Sequence, residues 1–238
     1  MKRAMSAEAK AARAKQIMDA AADMLLSTDY RHLKMSSIAK AVGISNGLIF
    51  KYFKTKETLF LSLLWREYEK RLDYLEAETE KTAFRDFSDV QELLLSELEH
   101  LLYQNPVYIK LESMRSIILE KNADTQLLLK MKEKFYGRVN AWSRKFSGSG
   151  IISQGEILDI FFAEIGIITG CYLQNAILND ARNIISQDRD NMPEISETDF
   201  RKEILNRMKY YLQGYKQKSR CQAVLGRQEI YSTPWLTE

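Results

Sequence analysis

A short segment of the chain combines the side-chain types that contact nucleic acid. It contains a serine, an amide, a glycine, a leucine, a cation and a phenol in the order Ser45, Asn46, Gly47, Leu48, Lys51, Tyr52. Cations, amides and hydroxyls contact phosphates and base edges, and a leucine can cover a thymine methyl group. Ile49 and Phe53 fall between them at helical spacing and are predicted to face a core. The pattern predicts a helix that presents its polar side to DNA.

The elements around this segment predict a helix-turn-helix. One helix is expected over 11–26 and a short second helix over 36–42. Gly43 stands where a left-handed residue ends a helix, and Ser45 is a suitable N-cap for a third helix. Thr55 is a second N-cap, expected to start a fourth helix that runs well past Trp65. Two short helices joined by a glycine turn are the form in which the second helix enters the major groove.

Residues 38–57 resemble the DNA-binding signature of the TetR family of bacterial regulators. The stretch reads IAKAVGISNGLIFKYFKTKE and follows the family pattern over about twenty positions, whereas the longer C-terminal part resembles the family only in length and helical character. The resemblance implies a dimeric, ligand-responsive transcriptional regulator. It also implies that the lysine at position 56 holds backbone phosphate.

Individual residues are assigned roles on this basis. Gly47 would let the DNA backbone approach the helix N-terminus, although a packing role is the alternative. Lys51 and Tyr52 would contact phosphate or remain solvated, and Leu48 is the candidate for reading a thymine methyl group. Asn46 would read adenine or hold phosphate. Lys56 opposes the helix dipole in the first turn of its helix, a cost that a bound phosphate would reverse.

Two residues depart from the family pattern. Phe50 replaces a common tyrosine and so removes a hydroxyl that often reaches phosphate. Lys34 stands where a threonine often caps the second helix. Either Ser36 caps a shorter helix, or Lys34 adds a phosphate contact. We expect both residues to belong to the DNA-binding surface.

Charge is distributed unevenly along the chain. Residues 1–56 hold eleven Lys or Arg against four acids, a net charge of +7, whereas the remainder holds 24 against 28, a net charge of −4. A basic head on an acidic body suggests that only the head meets a polyanion, although scatter in surface charge is the alternative. Five cations precede the first predicted helix or lie at its start and suggest a minor-groove arm or a disordered tail, namely Lys2, Arg3, Lys10, Arg13 and Lys15.

Composition predicts an all-α fold in two parts. Three prolines and ten glycines in 238 residues leave long helical stretches without strand-like alternation. We assign 1–56 to a three-helix DNA-binding domain with a basic arm and 57–238 to a larger helical domain for effector binding and dimerisation. Further helices are expected over 88–103, 106–120, 124–146, 153–186 and 196–217, with loops over 146–150 and 187–193. The role of the tail after Gln217 is not defined by its sequence.

Dimerisation is expected because a single short helix-turn-helix makes too few contacts for useful specificity. Small residues at three- and four-residue spacing, together with one face of the last long helix, predict an intersubunit four-helix bundle. The alternative is that this stripe packs within its own subunit. The predicted interface residues are Ala163, Gly166, Thr169, Gly170, Ile204, Met208, Tyr211 and Leu212.

The family resemblance also implies a pocket for a small apolar or aromatic effector in the C-terminal part. Aromatic and sulfur-bearing side chains are the candidates for its lining, although most of them would serve equally well as core. The candidates are Tyr103, Tyr108, Met114, Met131, Phe135, Trp142, Phe146 and Phe161.

The remaining reactive residues do not suggest an enzyme. His32 and His100 are the only histidines, and no Ser–His, Cys–His or Glu-x-x-His arrangement is evident. Cys171 and Cys221 form no paired spacing, which fits a reducing cytoplasm. The apolar segment 157–178 is interrupted by charged and amide residues, so a buried helix is expected rather than a membrane span. We therefore expect no catalysis, cofactor or metal, and a cytoplasmic protein.

Two rival functions stay open at this stage. A helix-turn-helix protein that answers to a protein partner, with no small-molecule effector, would bind operator DNA in the same way. A helical adaptor that does not bind DNA is the other. The sequence identifies neither the effector, the operator and its genes, nor whether the effect is repression or activation.

Overall fold

The computed structural model describes residues 6–185 and 199–225, and it describes side chains up to residue 178 and again over 199–215. Within these residues the ordered elements are all helical, which confirms the predicted fold class. The helices are α1 (Ala7–Ser27), α2 (Met35–Ala41), α3 (Asn46–Tyr52), α4 (Lys56–Lys81), α5 (Phe87–Gln104), α6 (Pro106–Met114), α7 (Thr125–Ser143), α8 (Gln154–Ile185) and α9 (Phe200–Leu225).

The first three helices form a small head around α1. Ser6 caps α1 by accepting a hydrogen bond from the amide of Ala9, so this helix begins four residues earlier than predicted. Ile17, Ala21 and Leu25 are its buried face, and Ile38, Ala39, Ile49 and Phe53 of the following helices complete the core.

The earlier start of α1 changes the prediction of a basic arm. Lys10, Arg13 and Lys15 lie within α1 rather than before it, because the helix already begins at Ala7. Lys2 and Arg3 lie outside the described residues.

Helix α4 carries the chain from the head into the body. The body helices start at local caps: Asp86 and Asp89 form a capping box for α5, Asn105 caps α6 ahead of Pro106, and Asp124 caps α7. Each cap satisfies backbone N–H groups that the first helical turn leaves without partners. The body therefore follows local sequence signals closely.

Helix α6 does not continue regularly to residue 120, as the sequence predicted. Residues Arg115–Leu119 form a π-helical turn, closed by a hydrogen bond of 2.9 Å from the amide of Glu120 to the carbonyl of Arg115. Such turns are rare and occur often at functional sites.

Helices α4 and α7 run parallel and are joined by ion pairs on their exposed sides. Glu69 pairs with Lys134 and Asp73 with Arg138, and Glu80 pairs with Lys145 in the 3₁₀ turn that directly follows α7. Each pair joins residues 65 positions apart, so the two helices advance in step along a common direction. The C-terminal half of α4 is thereby held in register with α7.

The long helices α8 and α9 pack on the body beside α5 and α6. The apolar segment 157–178 lies inside α8, with Ile157, Ile160, Phe161 and Ile168 fully buried. None of the helices described between residues 6 and 225 combines the length and the apolar character needed to cross a membrane. The tail after Gln217 begins as the end of α9, and residues 226–238 lie outside the described part of the chain.

Candidate nucleic-acid interface and ligand cavity

The turn between α2 and α3 has the geometry that the sequence predicted. Gly43 adopts a φ of 69°, a left-handed conformation that side-chain-bearing residues rarely adopt. Its amide donates to the carbonyl of Lys40, and the amide of Ile44 donates to the carbonyl of Ala39. The Ser45 hydroxyl then accepts a hydrogen bond of 3.2 Å from the amide of Leu48 and starts α3. The two helices are thus fixed against each other by local hydrogen bonds.

The outer face of α3 carries the predicted contact residues. Asn46, Gly47, Leu48 and Lys51 are exposed, whereas Ile49 is fully buried. A Cβ atom built on Gly47 would meet no protein atom within 4 Å apart from its own helix backbone and its chain neighbours. Packing within the protein therefore gives no reason for a glycine at this position, and the close-approach interpretation is favoured.

The remaining predicted DNA-binding residues differ in exposure. Phe50 is exposed, and Tyr52 is half-buried. Lys34 is the N-cap residue of α2 but makes no capping hydrogen bond, and α2 begins at Met35. The alternative in which Ser36 caps a shorter helix is therefore not realised. Lys34 is exposed, so its ammonium remains a candidate phosphate contact.

Lys56 has a structural role that the sequence did not reveal. Its ammonium donates to the carbonyls of Tyr30 (2.9 Å) and Leu33 (3.1 Å) and lies 4.0 Å from the centre of the Tyr30 ring. Tyr30 in turn donates its hydroxyl to Glu57. The start of α4 thus clamps the short 3₁₀ turn between α1 and α2. An ammonium has three N–H donors, so one more can be directed to a phosphate.

A cavity of about 520 Å³ lies in the body between α4, the end of α6, α7 and α8. Its apolar wall includes Leu64, Trp65, Met131, Phe135 and Ile165. Its polar end is formed by Glu112, Arg115, Ser116, Glu120 and Lys132. A largely apolar cleft of this size with a few convergent polar groups is typical of a small-molecule site.

Only part of the predicted pocket lining is found at this cavity. Met131 and Phe135 line it. The other six candidates do not: Tyr103 is exposed beside Arg201, Met114 packs on the core, and the rest fill the closed core, namely Tyr108, Trp142, Phe146 and Phe161. Those four side chains are almost completely buried and lie in the core outside the lining of this cavity. Residues of α4, above all Trp65 and Tyr68, were missed because they follow the head so closely in sequence.

The predicted dimer residues divide in a similar way. Ile204, Met208 and Leu212 are fully buried within their own subunit, so their assignment to an interface is wrong. Gly166 and Gly170 are exposed, and Ala163, Thr169 and Tyr211 are half-buried. Gly166, Thr169 and Gly170 also line the cavity.

Two contacts join the head directly to the body. The ammonium of Lys110 on α6 donates to the carbonyls of Leu25 (2.9 Å) and Leu26 (3.1 Å) in the last turn of α1. A cation is favourable at this negative end of a helix dipole. Arg66 on α4 also pairs with Asp19 on α1. Because α4 and α6 both contribute to the cavity wall, movement at the cavity can reach the head through these contacts.

A buried charge cluster ties four helices of the body together. Arg71 of α4 donates to Glu97 of α5, to Glu164 of α8 and to the hydroxyl of Tyr108 on α6. If both carboxylates were ionised, they would carry one charge more than the single guanidinium balances, and Oε2 of Glu164 has no hydrogen-bond partner among the described residues. Burial is the main cause that raises the pKa of Glu164 to about 8, against the opposing effect of Arg71.

An exposed second helix of a helix-turn-helix on a three-helix head, followed by a helical body with a cavity, is typical of a helix-turn-helix transcription regulator. Comparison with known families agrees with this class. The family model described as bacterial regulatory proteins of the tetR family matches residues 17–63, and the model of a tetracyclin repressor-like C-terminal domain matches residues 65–219. The chain belongs to the TetR family of transcriptional regulators.

Individual relatives extend the similarity over most of the chain. The chain is 29% identical to the uncharacterized HTH-type transcriptional regulator YvkB of Bacillus subtilis, over 80% of this chain and 96% of that protein. The fatty acid degradation regulator FadR of Bacillus halodurans has the same fold, with a TM-score of 0.54 and 18% identity over 84% of this chain and 94% of that chain. FadR of Bacillus subtilis, solved in complex with stearoyl-CoA, gives a TM-score of 0.51 and 20% identity over 82% and 96%.

Proposed function

We propose that this protein is a repressor that binds a palindromic operator as a homodimer and is released when a small, largely apolar effector enters the cavity behind α4. The exposed face of α3 carries this proposal. Asn46, Leu48 and Lys51 are directed outward from a helix that is otherwise anchored by Ile49, and Gly47 leaves room for the DNA backbone.

The dimer would form through α8 and α9. On α8 the exposed residues Phe162, Gly166, Gly170, Leu173 and Ile177 follow one another at intervals of three or four, which places them on one face. Ile177 is 68% exposed, and Tyr210 on the neighbouring α9 is 72% exposed. Exposed apolar side chains arranged in a stripe on two adjacent helices are typical of a self-association surface.

Ligand binding would act through α4. The N-terminal half of α4 contributes Leu61, Leu64, Trp65 and Tyr68 to the cavity wall and carries the head at its start. A ligand that needs more room than the empty cavity offers would displace this half of the helix. A FadR of the same fold has been solved with stearoyl-CoA, so the fold can accommodate a ligand with a long apolar chain.

Effector and operator would then oppose each other by equal factors. If the effector lowers operator affinity by a given factor, the operator lowers effector affinity by the same factor, because the two equilibria share one thermodynamic cycle. A coupling free energy of about 1–3 kcal/mol, or roughly 5- to 150-fold in affinity, is typical of allosteric proteins in general.

The test uses the full-length protein and the DNA upstream of its own gene. Fluorescence anisotropy should show salt-dependent binding to a palindrome within this DNA and much weaker binding to a scrambled duplex. Native mass spectrometry of the purified protein, followed by a thermal-shift screen, would identify effectors, and an effector must lower operator affinity. If the intact dimer binds the palindrome no more tightly than the scrambled duplex, the proposal is refuted. Specific DNA binding with no stabilising compound would favour control by a protein partner.

A further inference from the structure

The polar end of the cavity presents cations to the ligand and keeps its carboxylates further back. Lys132 and Arg115 have side chains 39% and 30% exposed, whereas Glu120 is 15% and Glu112 only 1% exposed. The Ser116 hydroxyl adds an exposed donor at the same end. Although these four charges cancel, the two most exposed of the four side chains are positive.

The buried carboxylate of Glu112 holds the side chain of Arg115 in place. Its carboxylate accepts a bond of 2.8 Å from Nε of Arg115 and another from the hydroxyl of Tyr68 on α4. The guanidinium is therefore oriented by a buried partner, while its Nη1 donates to Glu120. Such an oriented fork suits recognition of a planar anion.

Glu120 occupies these cations in the way that a bound carboxylate would. One of its oxygens accepts from Nη1 of Arg115 at 2.9 Å, and the other lies 2.9 Å from Nζ of Lys132. Burial acts to raise the pKa of this carboxyl, but the hydrogen bonds from Lys132 and Arg115 outweigh it, so the pKa lies below its usual value. Glu120 is thus a charged internal occupant of an anion site.

The π-helical turn is what brings these two residues of one helix together. Residues five apart on an α-helix point about 140° away from each other, so Arg115 and Glu120 could not pair on a regular helix. The turn over Arg115–Leu119 shifts the following backbone by one residue and places Glu120 opposite Arg115. The irregularity in α6 therefore builds the site.

We propose that the effector is an amphipathic anion whose carboxylate, or a similar oxyanion, displaces Glu120 from Arg115 and Lys132 while its apolar part lies along Trp65, Met131 and Phe135. This inference rests on the proposed function, in which the cavity holds the effector. Displacement breaks the bridge from the end of α6 to α7 and replaces it with a bridge through the ligand. The chemistry that distinguishes effectors is then the sign of the head-group charge.

The experiment compares three probes that share an eight-carbon chain: octanoate, 1-octanol and octyltrimethylammonium. Dissociation constants are measured by isothermal titration calorimetry with the full-length protein. We expect octanoate to bind about tenfold more tightly than 1-octanol, the factor given by one net charge-assisted hydrogen bond, and the cation to bind most weakly.

Single substitutions distinguish the role of Glu120, which competes with the ligand anion, from the role of Lys132, which binds it. Glu120→Gln should tighten octanoate binding about five- to tenfold and leave 1-octanol unchanged, because the competing charge is gone while the cations remain. Lys132→Gln should weaken octanoate binding about tenfold. Glu133→Gln is the matched control: it removes an exposed acid next to Lys132 that does not line the cavity, and should change neither constant. Circular dichroism confirms that each variant is folded.

The outcomes distinguish this inference from the proposed function. Equal binding of the three probes, or tightest binding of octyltrimethylammonium, overturns the anion assignment but leaves the cavity as the effector site. Weaker octanoate binding in Glu120→Gln also overturns it, because Glu120 would then assist the ligand rather than compete with it. If none of the probes binds, the anion assignment fails. The proposed function as a repressor is then still tested separately, by the measurement of operator binding.

Discussion

Replacing Glu164 by glutamine should remove a pH dependence of stability that the buried cluster imposes on the folded protein. Glu164 and Glu97 share the single guanidinium of Arg71 in a site closed to solvent. The folded carboxyl of Glu164 keeps its proton up to about pH 8, whereas in the unfolded chain it ionises near its usual value of 4.5. Between these pH values the folded state binds one more proton, so the free energy of unfolding falls as the pH rises.

The magnitude follows from the same interval. For a rigid site, the span from 4.5 to about 8 corresponds to roughly 5 kcal/mol at about 1.4 kcal/mol for each pKa unit. Relaxation and water entry around a buried charge reduce this penalty, so we expect a loss of about 2–3 kcal/mol between pH 5 and pH 9. Glutamine resembles the protonated carboxyl in shape and charge. The variant should match the wild type at pH 5 and be more stable by about 2–3 kcal/mol at pH 9.

Urea unfolding followed by circular dichroism at pH 5, 7 and 9 measures this difference. Other groups titrate in the same range, so the difference between variant and wild type is the diagnostic quantity rather than either slope alone. Asp159→Asn is the control, since Asp159 is an exposed acid on the same helix and should follow the wild type. A difference for Glu164→Gln that changes by less than about 0.5 kcal/mol from pH 5 to pH 9 would refute the reasoning.

Three further predictions concern the head, the dimer and their connection. Lys51→Ala should weaken binding to all DNA sequences by a similar factor and reduce the salt dependence, whereas Leu48→Ala should change sequence preference; identical behaviour in anisotropy assays would contradict these roles. Ile177→Glu should convert a dimer into a folded monomer, as measured by light scattering, because it places charge on the exposed stripe of α8, and a dimer of unchanged stability would exclude that face. Lys110→Met should lower the free energy of unfolding by about 1 kcal/mol and weaken the response of operator binding to effector, since it removes two bonds to the end of α1; unchanged coupling in a ligand titration would argue against this link.

Local signals explain why the head could be predicted from sequence. The positive φ of Gly43 and the caps at Ser45 and Thr55 depend on residues within a few positions, and the structure reproduces them. Lys56 is an instructive exception. Its position in the first turn of α4 suggested a phosphate contact, but its ammonium donates to the distant carbonyls of Tyr30 and Leu33. No helical periodicity reports a contact of that kind. Its role at phosphate stays a prediction.

The body was harder to predict because periodicity shows which face of a helix is covered but not what covers it. Ile204, Met208 and Leu212 form a regular apolar stripe, and the structure shows that this stripe packs within its own subunit. The candidate dimer surface is instead the side of α8 and α9 that includes Ile177 and Tyr210. Likewise, most of the aromatic residues that were predicted to line the effector pocket belong to the core, and only Phe135 lines the cavity. The residues around Arg115 form no pattern that predicts the π-helical turn.

The ion pairs between α4 and α7 divide α4 into a C-terminal section that is held by α7 and an N-terminal section, before Glu69, that makes none of these ion pairs. Glu69 forms the first of these ion pairs along α4. Lys56, at the start of the helix, lies thirteen residues before it, a span of about 20 Å at 1.5 Å per residue. A tilt of 10° about Glu69 would move the head by about 3.5 Å, and opposite tilts in two subunits would change the separation of the heads by about 7 Å, against a half-site spacing of roughly 34 Å. In the proposed dimer, a small tilt of α4 beside the cavity would therefore become a larger displacement of each head, so a bound ligand would change the fit of both recognition helices to the operator.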